Sequence, residues 1–521
     1  MKTIRTSTFD FSEIIANDFL YIDKTAYLWK LIHGGKDEYF LSRPRRFGKS
    51  LLVSTLKAIF QGRRELFHGL AIERMDYNWR EYPILHLDFS NIALGEPQNL
   101  RDFLAAALMK WADMYQIELR GVGLSLQFEN LIEDIASTKD TQVVVLIDEY
   151  DKPMLGNILN SKREEFLGIL KSFYSCIKKC EGRIRFAFIT GVSKFAHVSL
   201  FSDLNNLTDL TLQVDYAGML GFTADEIRTN FADRIPLAAQ ANGLTEEALL
   251  ERLLLWYDGY RFSCGEAHVC NPVSIAKFFS EGFRFANYWA ITGMPTFLLE
   301  LAKNTRFNFE QALTQPVSEL AFGAYELDNL DPMGLLWQTG YLTIKEVIPG
   351  PLGGSMYRLG FPDYEVEQSF NTQLLAHYSG FKESAMSGVV FQLLTQIHQN
   401  RIEEFMKTLQ SYFAAIPYDI RGGDERYYQT IFFITFLLLN GAVEAEARTS
   451  DGRIDAVVAT AERVFIFEFK LDQPAPVALE QIEDKQYYLK YRLSGKPITL
   501  VGASFDQTKG RLAEWRCVEV S

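Results

Sequence analysis

Cysteine is scarce in this chain: five in 521 residues, with no Cys-x-x-Cys pair. An odd, scattered set of this kind fits a reducing cytoplasm rather than a disulfide framework. Cys176 and Cys180 stand four apart and read as two small hydrophobes on one helical face, not as a metal site. Long apolar runs are missing too. The most apolar helix candidate, Ile431 to Leu439, falls far short of the roughly 20 residues needed to cross a bilayer, so it reads as a core helix and no membrane partner is expected. The opening Met1-Lys2-Thr3-Ile4-Arg5 continues through Asp10 and Glu13 without an apolar stretch, so no signal peptide is expected. Excess positive charge is also absent. A net charge of −13 argues against a broad, sequence-blind nucleic-acid surface, although it leaves room for a local one. There is no internal repeat. With 48% hydrophobic and 23% charged residues, the composition is that of a globular chain long enough for roughly three domains.

The most informative stretch runs from Phe40 through Arg43-Pro44-Arg45-Arg46-Phe47-Gly48-Lys49-Ser50-Leu51. It joins an apolar strand ending to a basic loop and a helix start, which is the pattern of a nucleoside-triphosphate cradle. In such a cradle the backbone of Arg45, Arg46, Phe47, Gly48 and Leu51 faces the phosphates. Lys49 reaches the β and γ groups, and Ser50 holds Mg²⁺. Arg43 stands where the usual signature has glycine. From Leu41 to Arg64 there are seven basic residues and no acid, so positive potential gathers at this loop. A second run, Val143 to Ile147, ends in Asp148-Glu149, as expected of a buried parallel strand whose tip lines a ligand crevice. Asp148 would help hold Mg²⁺ and Glu149 would polarise the attacking water. A third run, Arg185 to Thr190, ends in Gly191-Val192-Ser193-Lys194. Thr190 at its tip is a candidate γ-phosphate sensor, and a plain strand-to-loop turn is the competing reading.

Residues 1–215 alternate strand and helix patterns, with strands beginning near Glu38, Ile84, Gln142, Ile184 and Thr208. The expected fold class is therefore α/β, with helices around a mostly parallel sheet. Residues 216–330 read as a helical lid. Residues 331–384 read as a winged-helix-like segment: a short helix to Gln338, then a β-wing around Pro349-Gly350-Pro351-Leu352-Gly353-Gly354. The pattern leaves open whether this module binds DNA or packs against the nucleotide domain. Helices are expected to resume around Ala385. A final α/β segment starts near Asp424, within a C-terminal domain of 385–521.

That last domain carries a second constellation. Ile454 to Ala459 and Val464 to Lys470 read as a hairpin centred between Ala461 and Glu462. This register pairs Ala459 with Val464 and Val457 with Ile466, and it sets Asp455 opposite Glu468 with Cβ atoms roughly 5 Å apart. Period-2 alternation adds Lys470 to the same face. Two facing carboxylates repel unless a cation lies between them, and oxygen ligands suit Mg²⁺ or Mn²⁺, with the Phe469 carbonyl as a further ligand. Such a centre serves phosphodiester hydrolysis, with Lys470 orienting the nucleophile or stabilising the transition state. Gln481 and Lys485 lie four apart on a helix expected from Val477 to Tyr491, and both are placed toward this centre. Glu425, at the start of the segment's first helix, is a further candidate metal ligand. The plainer alternative is a solvated Glu468–Lys470 pair.

With both constellations in view, the chain resembles the bacterial AAA-ATPase-like family that carries a C-terminal PD-(D/E)XK nuclease-superfamily domain. The likeness rests on Tyr21-Ile22-Asp23-Lys24-Thr25, the Arg43–Ser50 loop and Leu146-Ile147-Asp148-Glu149-Tyr150-Asp151-Lys152-Pro153. Further blocks are Ile189 to Lys194, Leu204 to Asp209, Trp256-Tyr257-Asp258-Gly259-Tyr260 and Gln338-Thr339-Gly340-Tyr341-Leu342. It implies a P-loop NTPase domain that binds ATP and a nuclease motif on Asp455, Glu468 and Lys470. It also implies an accessory Gln481 and a carboxylate at Glu425. The function expected is an ATP-binding, ATP-hydrolysing cytoplasmic protein with a Mg²⁺-dependent, nucleotide-gated nuclease domain, DNA being the favoured substrate. The alternative is an ATP-dependent switch whose nuclease-like domain binds nucleic acid or protein without cutting. A homo-oligomer is left open.

Overall fold

The computed structural model describes the chain except residues 36–37, 94, 159, 195–206, 290–308, 324–331, 351–352, 417–424, 440–443, 451–452, 487, 507 and 521; for 309–311, 425–429, 444–450 and 453–455 it describes backbone only. The chain divides into two compact units, Met1–Ile291 with Pro316–Asp363, and Thr292–Gln315 with Tyr364–Ser521.

The first unit is built on strands β1 (Glu38–Ser42), β2 (Ile84–Asp88), β3 (Val143–Asp148), β4 (Ile184–Gly191) and β5 (Thr208–Asp209). They form one sheet in the order β2-β3-β4-β1-β5, every neighbouring pair parallel. Every residue of β1 and β3 is buried, which explains their unbroken apolar sequences: helices cover both faces. The helices Pro97–Tyr115, Leu124–Lys139 and Arg163–Lys179 supply part of that cover through Leu104, Leu108, Ile132, Phe173 and their neighbours. Cys176 and Cys180 are both buried, and Cys176 is hydrogen-bonded to Ser125. The order places β4 between β1 and β3, so the tips that carry Ser42, Gly191 and Asp148 are neighbours.

Residues 224–280 form a separate helical cluster of four helices, Ala224–Asn230, Ile235–Asn242, Glu246–Tyr257 and Pro272–Ser280, around Ile227, Phe231, Leu253, Ile275 and Phe278. Lys24, from the Tyr21–Thr25 block, reaches this cluster: its ammonium lies 2.6 Å from Glu226. Asp23 accepts hydrogen bonds from the Thr25 and Ala71 N–H groups, so the block braces the unit, and its Tyr21, Ile22 and Lys24 also line the cavity beside the basic loop.

A third element of the same unit is β6 (Val317–Ser318), the helix Pro332–Thr339, β7 (Thr343–Pro349) and β8 (Ser355–Gly360), with β8 antiparallel to both other strands. All eight residues of the helix are buried. Its C-terminal end and the turn that follows pack on the nucleotide domain, where Gln338 accepts from the Lys194 N–H and Gly340 meets Pro44.

In the Tyr364–Ser521 part of the second unit the helix Tyr364–Ser379 comes first, so helical structure resumes about twenty residues before the expected Ala385. Its burial on several sides had hidden its periodicity. The helices Glu383–His398, Ile402–Ala415 and Glu425–Leu439 follow, and Ile431, Phe432, Phe433, Ile434, Phe436, Leu438 and Leu439 of the last are buried, as expected of a core helix. Strands β9 (Glu444–Ser450), β10 (Arg453–Ala459), β11 (Val464–Leu471), β12 (Ile498–Asp506) and β13 (Arg511–Val520) form a mixed sheet in the order β13-β12-β11-β10-β9. The pairing of β11 with β12 is parallel, and the others are antiparallel. On β11, Phe467 and Phe469 pack against Phe405, Phe432 and Phe436 of the helices on one face. Alternation sends Val464, Ile466, Glu468 and Lys470 to the other face, under the helix Ala475–Lys485.

Candidate functional sites

The basic loop leaves β1 at Ser42 and ends at Gly48, which takes a left-handed conformation (φ 91°) and caps the helix Lys49–Phe60 without a side-chain hydrogen bond. The N-terminal N–H groups of that helix therefore lack the usual Ser, Thr or Asp cap, the arrangement that suits an anion. Lys49 is buried and donates to the carbonyls of Arg43 and Pro44, each at 2.9 Å. Burial lowers its pKa, against the attraction of Asp148, Asp151 and Glu149. The Asp148 carboxyl is pushed up to about 6 by burial, while a hydrogen bond from Ser50 and the Lys49 charge pull the other way. Ser50, Lys49 and Asp148 thus converge as the spacing predicts.

Other loop residues take different places. Arg43 is fully buried, donates to the carbonyls of Ser42 and Thr211 at 2.9 Å, and sits 4.2 Å from the Phe262 ring centroid. Its charge therefore anchors the loop and adds nothing to the open positive surface. Arg45 is exposed, Arg46 donates to the Tyr288 carbonyl, and Phe47 packs edge-on to Tyr260 of the Trp256–Tyr260 block. Leu51 belongs to the first helical turn and lines the cavity beside it.

Glu149 takes a left-handed conformation (φ 52°), uncommon outside glycine, and its carboxylate lies 3.4 Å from Lys152. The Thr190 hydroxyl is buried and donates to the Leu41 carbonyl at 3.0 Å. This bond ties β4 to β1, so in this arrangement Thr190 serves the strand-end reading rather than phosphate sensing. Asp151 had no role assigned from sequence. Fully buried, it accepts from the Val192 and Ser193 N–H groups and from the Ser193 hydroxyl at 2.7 Å, and so shapes the loop after β4. The signal was its place in the Glu149–Lys152 block, but its partners lie some forty residues away.

Two features could not be read from local pattern. An apolar cavity of about 140 Å³ adjoins the loop, lined by Phe9, Leu20, Phe47, Leu51, Leu220 and Pro272 among others. Four segments, within 4–24, 46–55, 219–231 and 272–276, build it. The loop also has a floor from the Gln338–Leu342 block, where Gln338 accepts from the Lys194 N–H at 3.0 Å. Gly340 (φ 88°) lies so close to Pro44 that a Cβ would stand 2.6 Å from its side chain.

In the second unit the hairpin has the register expected: Ala459 opposite Val464, Val457 opposite Ile466 and Asp455 opposite Glu468. Glu468 is fully buried, and its carboxylate lies 3.0 Å from the Lys470 ammonium. Lys470 also donates to the Gln481 side-chain oxygen. The helix carrying Gln481 comes close because Gly502, beside Glu468 on β12, has no side chain; a Cβ there would lie 2.7 Å from the Ala475 carbonyl. That helix ends at Lys485 instead of Tyr491, because Gln486 turns left-handed (φ 53°). Lys485 is exposed rather than directed at the centre. The side chains of Asp455 and Glu425 lie outside the described residues, and Glu425 is the first residue of its helix as expected. Among the described residues no three His, Cys, Asp or Glu side chains cluster tightly enough for a metal ion. No described helix is long and apolar enough to cross a membrane.

These geometries define a protein that joins a phosphate-loop α/β domain to a mixed-sheet domain with an acid–acid–lysine hairpin. Residues 5–201 match the family described as predicted AAA-ATPase, and residues 423–515 match the PD-(D/E)XK nuclease superfamily. A protein of Azotobacter chroococcum mcd 1, described as an uncharacterized protein in the vnfD 5′ region, is 36% identical over 511 residues, covering 94% of each chain. The chain belongs to the AAA-ATPase-like family with a C-terminal PD-(D/E)XK nuclease-superfamily domain. Among solved structures, the Aeropyrum pernix ORC2 protein (ADPNP-ADP complexes) matches 67% of this chain and 92% of its own at 12% identity and a TM-score of 0.25.

Proposed function

We propose that the protein is a cytoplasmic, nucleotide-gated, metal-dependent nuclease that acts on nucleic acid, DNA in preference. The observation that carries the reading is the register of Asp455 against Glu468, with Lys470 on the same strand face and bonded to Gln481. The donors fit a hard divalent cation: a fully buried carboxylate, a second acid opposite it and the Phe469 carbonyl, all oxygen. Asp455 and Glu468, with Glu425, would hold Mg²⁺ or Mn²⁺, which when bound supplies an acidified water and neutralises phosphodiester charge. Lys470 balances Glu468, and Gln481 fixes the direction of its ammonium, which positions a cation for charge developing on the scissile phosphate.

In the first unit, Lys49 would exchange its two carbonyl partners for the β- and γ-phosphates of ATP, and Ser50 and Asp148 would hold the accompanying Mg²⁺. Glu149 orients the attacking water, and the apolar cavity receives the base.

The test is cleavage of single- and double-stranded DNA and RNA by purified protein with Mg²⁺ or Mn²⁺, with and without ATP. The parent should cut, Asp455→Ala should not, and Lys49→Ala should lose the response to ATP. A parent that binds nucleic acid and leaves it intact under every metal condition would replace this reading with that of an ATP-dependent binding switch.

A further inference from the structure

Residues 485–505 contain Lys485, Lys490, Arg492 and Lys496 and no acid, in a chain whose net charge is −13. Most of this cationic segment is a turn and a short helix, Leu489–Arg492, that follows the helix carrying Gln481. Tyr488 and Tyr491 pack on the core formed by Val464, Ile466, Ile482 and Leu500. The segment's charges face outward on those same rings: the Lys490 ammonium lies 4.6 Å from the Tyr491 centroid, and the Arg492 guanidinium 5.3 Å from that of Tyr488. Lys496 is fixed to the hairpin turn through the Thr460 carbonyl at 2.8 Å. Between these cations Leu493 is 94% exposed.

We infer that Tyr488, Lys490, Tyr491, Arg492 and Lys496 form a docking platform for a nucleic-acid phosphate backbone, which delivers the strand to the Glu468–Lys470 centre. The inference rests on the nuclease reading for its purpose, but not for its test. Cations held over rings anchored in the core lose little further freedom on binding, so their attraction to phosphate is not spent on ordering them. The platform is rooted on the strand face that carries the centre. Val464 and Glu468 are four residues apart on β11, roughly 13 Å, which corresponds to about four base steps of a duplex. The exposed Leu493 gives an apolar contact of the kind that seats against sugars or base edges. In an acidic chain, a local patch of this composition fits a polyanion better than it fits an acidic protein surface, because regularly spaced phosphates match cations spread along a turn.

The experiment measures binding separately from cutting. Full-length protein in EDTA is titrated against fluorescent single-stranded DNA, duplex DNA and RNA across a salt series. The variants are Lys490→Glu/Arg492→Glu and a control of equal charge change, Lys382→Glu/Lys407→Glu, at exposed positions of the same unit. The platform variant should bind at least about ten-fold more weakly, with the salt slope reduced by about 1.4 to 1.8, the value for two lost phosphate contacts. The control should match the parent. Equal affinity and slope in the two variants would overturn the inference, as would a parent that binds none of the three nucleic acids at low salt. A parent that binds through the platform but never cleaves would remove the nuclease reading and leave the platform standing.

Discussion

Two buried lysines, one in each unit, invite comparison. Lys49 is 7% exposed and Lys470 is 8% exposed, and each follows an apolar strand or loop ending in a motif. Lys49 is held by two neutral carbonyls, and among the described residues it makes no ion pair. Lys470 is paired with Glu468 and hydrogen-bonded to Gln481. The first is bonded to carbonyls, with Asp148, Asp151 and Glu149 attracting it without an ion pair, so an anionic ligand can take the place of those carbonyls. The second is already balanced, so its site takes up a cation only together with the opposing acid. The same residue type thus marks an anion site in one fold and part of a cation site in the other.

The contrast is tested most strongly by removing each charge. Lys470→Met leaves a buried carboxylate without its cation, so the C-terminal unit should lose about 3 kcal/mol and cleavage should vanish. Lys49→Met removes a charge bonded to carbonyls and the attraction it exerts on buried Asp148 and Asp151, and should cost about 1 kcal/mol, less than Lys470→Met, while abolishing ATP binding. Thermal unfolding of both variants reads the difference, and equal losses would end the distinction. Next in size are the close approaches. Gly340→Ala meets Pro44 in a left-handed conformation and should cost about 1–3 kcal/mol with weakened ATP binding. Gly502→Ala should cost a similar amount and impair cleavage alone, as the helix carrying Gln481 is displaced. Smaller still, Gln481→Ala leaves the Lys470–Glu468 pair intact and should slow cleavage by about ten-fold, about 1.4 kcal/mol, without touching ATP turnover.

The smallest effect is pH-dependent. Burial raises the Asp148 carboxyl to about 6, so Mg·ATP affinity should fall as pH drops through that value and the carboxylate protonates. For stability without nucleotide the sign is opposite. A raised folded-state pKa favours the protonated fold, so this contribution is full below about pH 4 and is lost as pH rises through about 6. Calorimetric titration of Mg·ATP and thermal melts over the same pH series separate the two, and Asp148→Asn should flatten both.

The strand starts at Glu38, Ile84, Ile184 and Thr208 and the register of the C-terminal hairpin were legible, because apolar runs and period-2 alternation are local signals. The Asp455–Glu468 pairing followed from the turn alone. The inward turn of Arg43 and the Thr190–Leu41 bond were not legible, since charge and polarity indicate that a group needs a partner without naming which one. Asp151, Gly340 and Gly502 act through contacts tens to hundreds of residues distant, and their local sequence shows only an acid or a glycine. Lys485 was misplaced because a single left-handed residue, Gln486, ended its helix early.

The floor of the phosphate loop is contributed by a block nearly three hundred residues downstream. During synthesis, Pro44 and Lys194 must therefore wait for Gln338 and Gly340 to leave the ribosome before this unit closes, and its closing stretch extends to Asp363. A chain shortened after residue 201 would keep both phosphate-binding motifs and still lack the surface on which the loop rests.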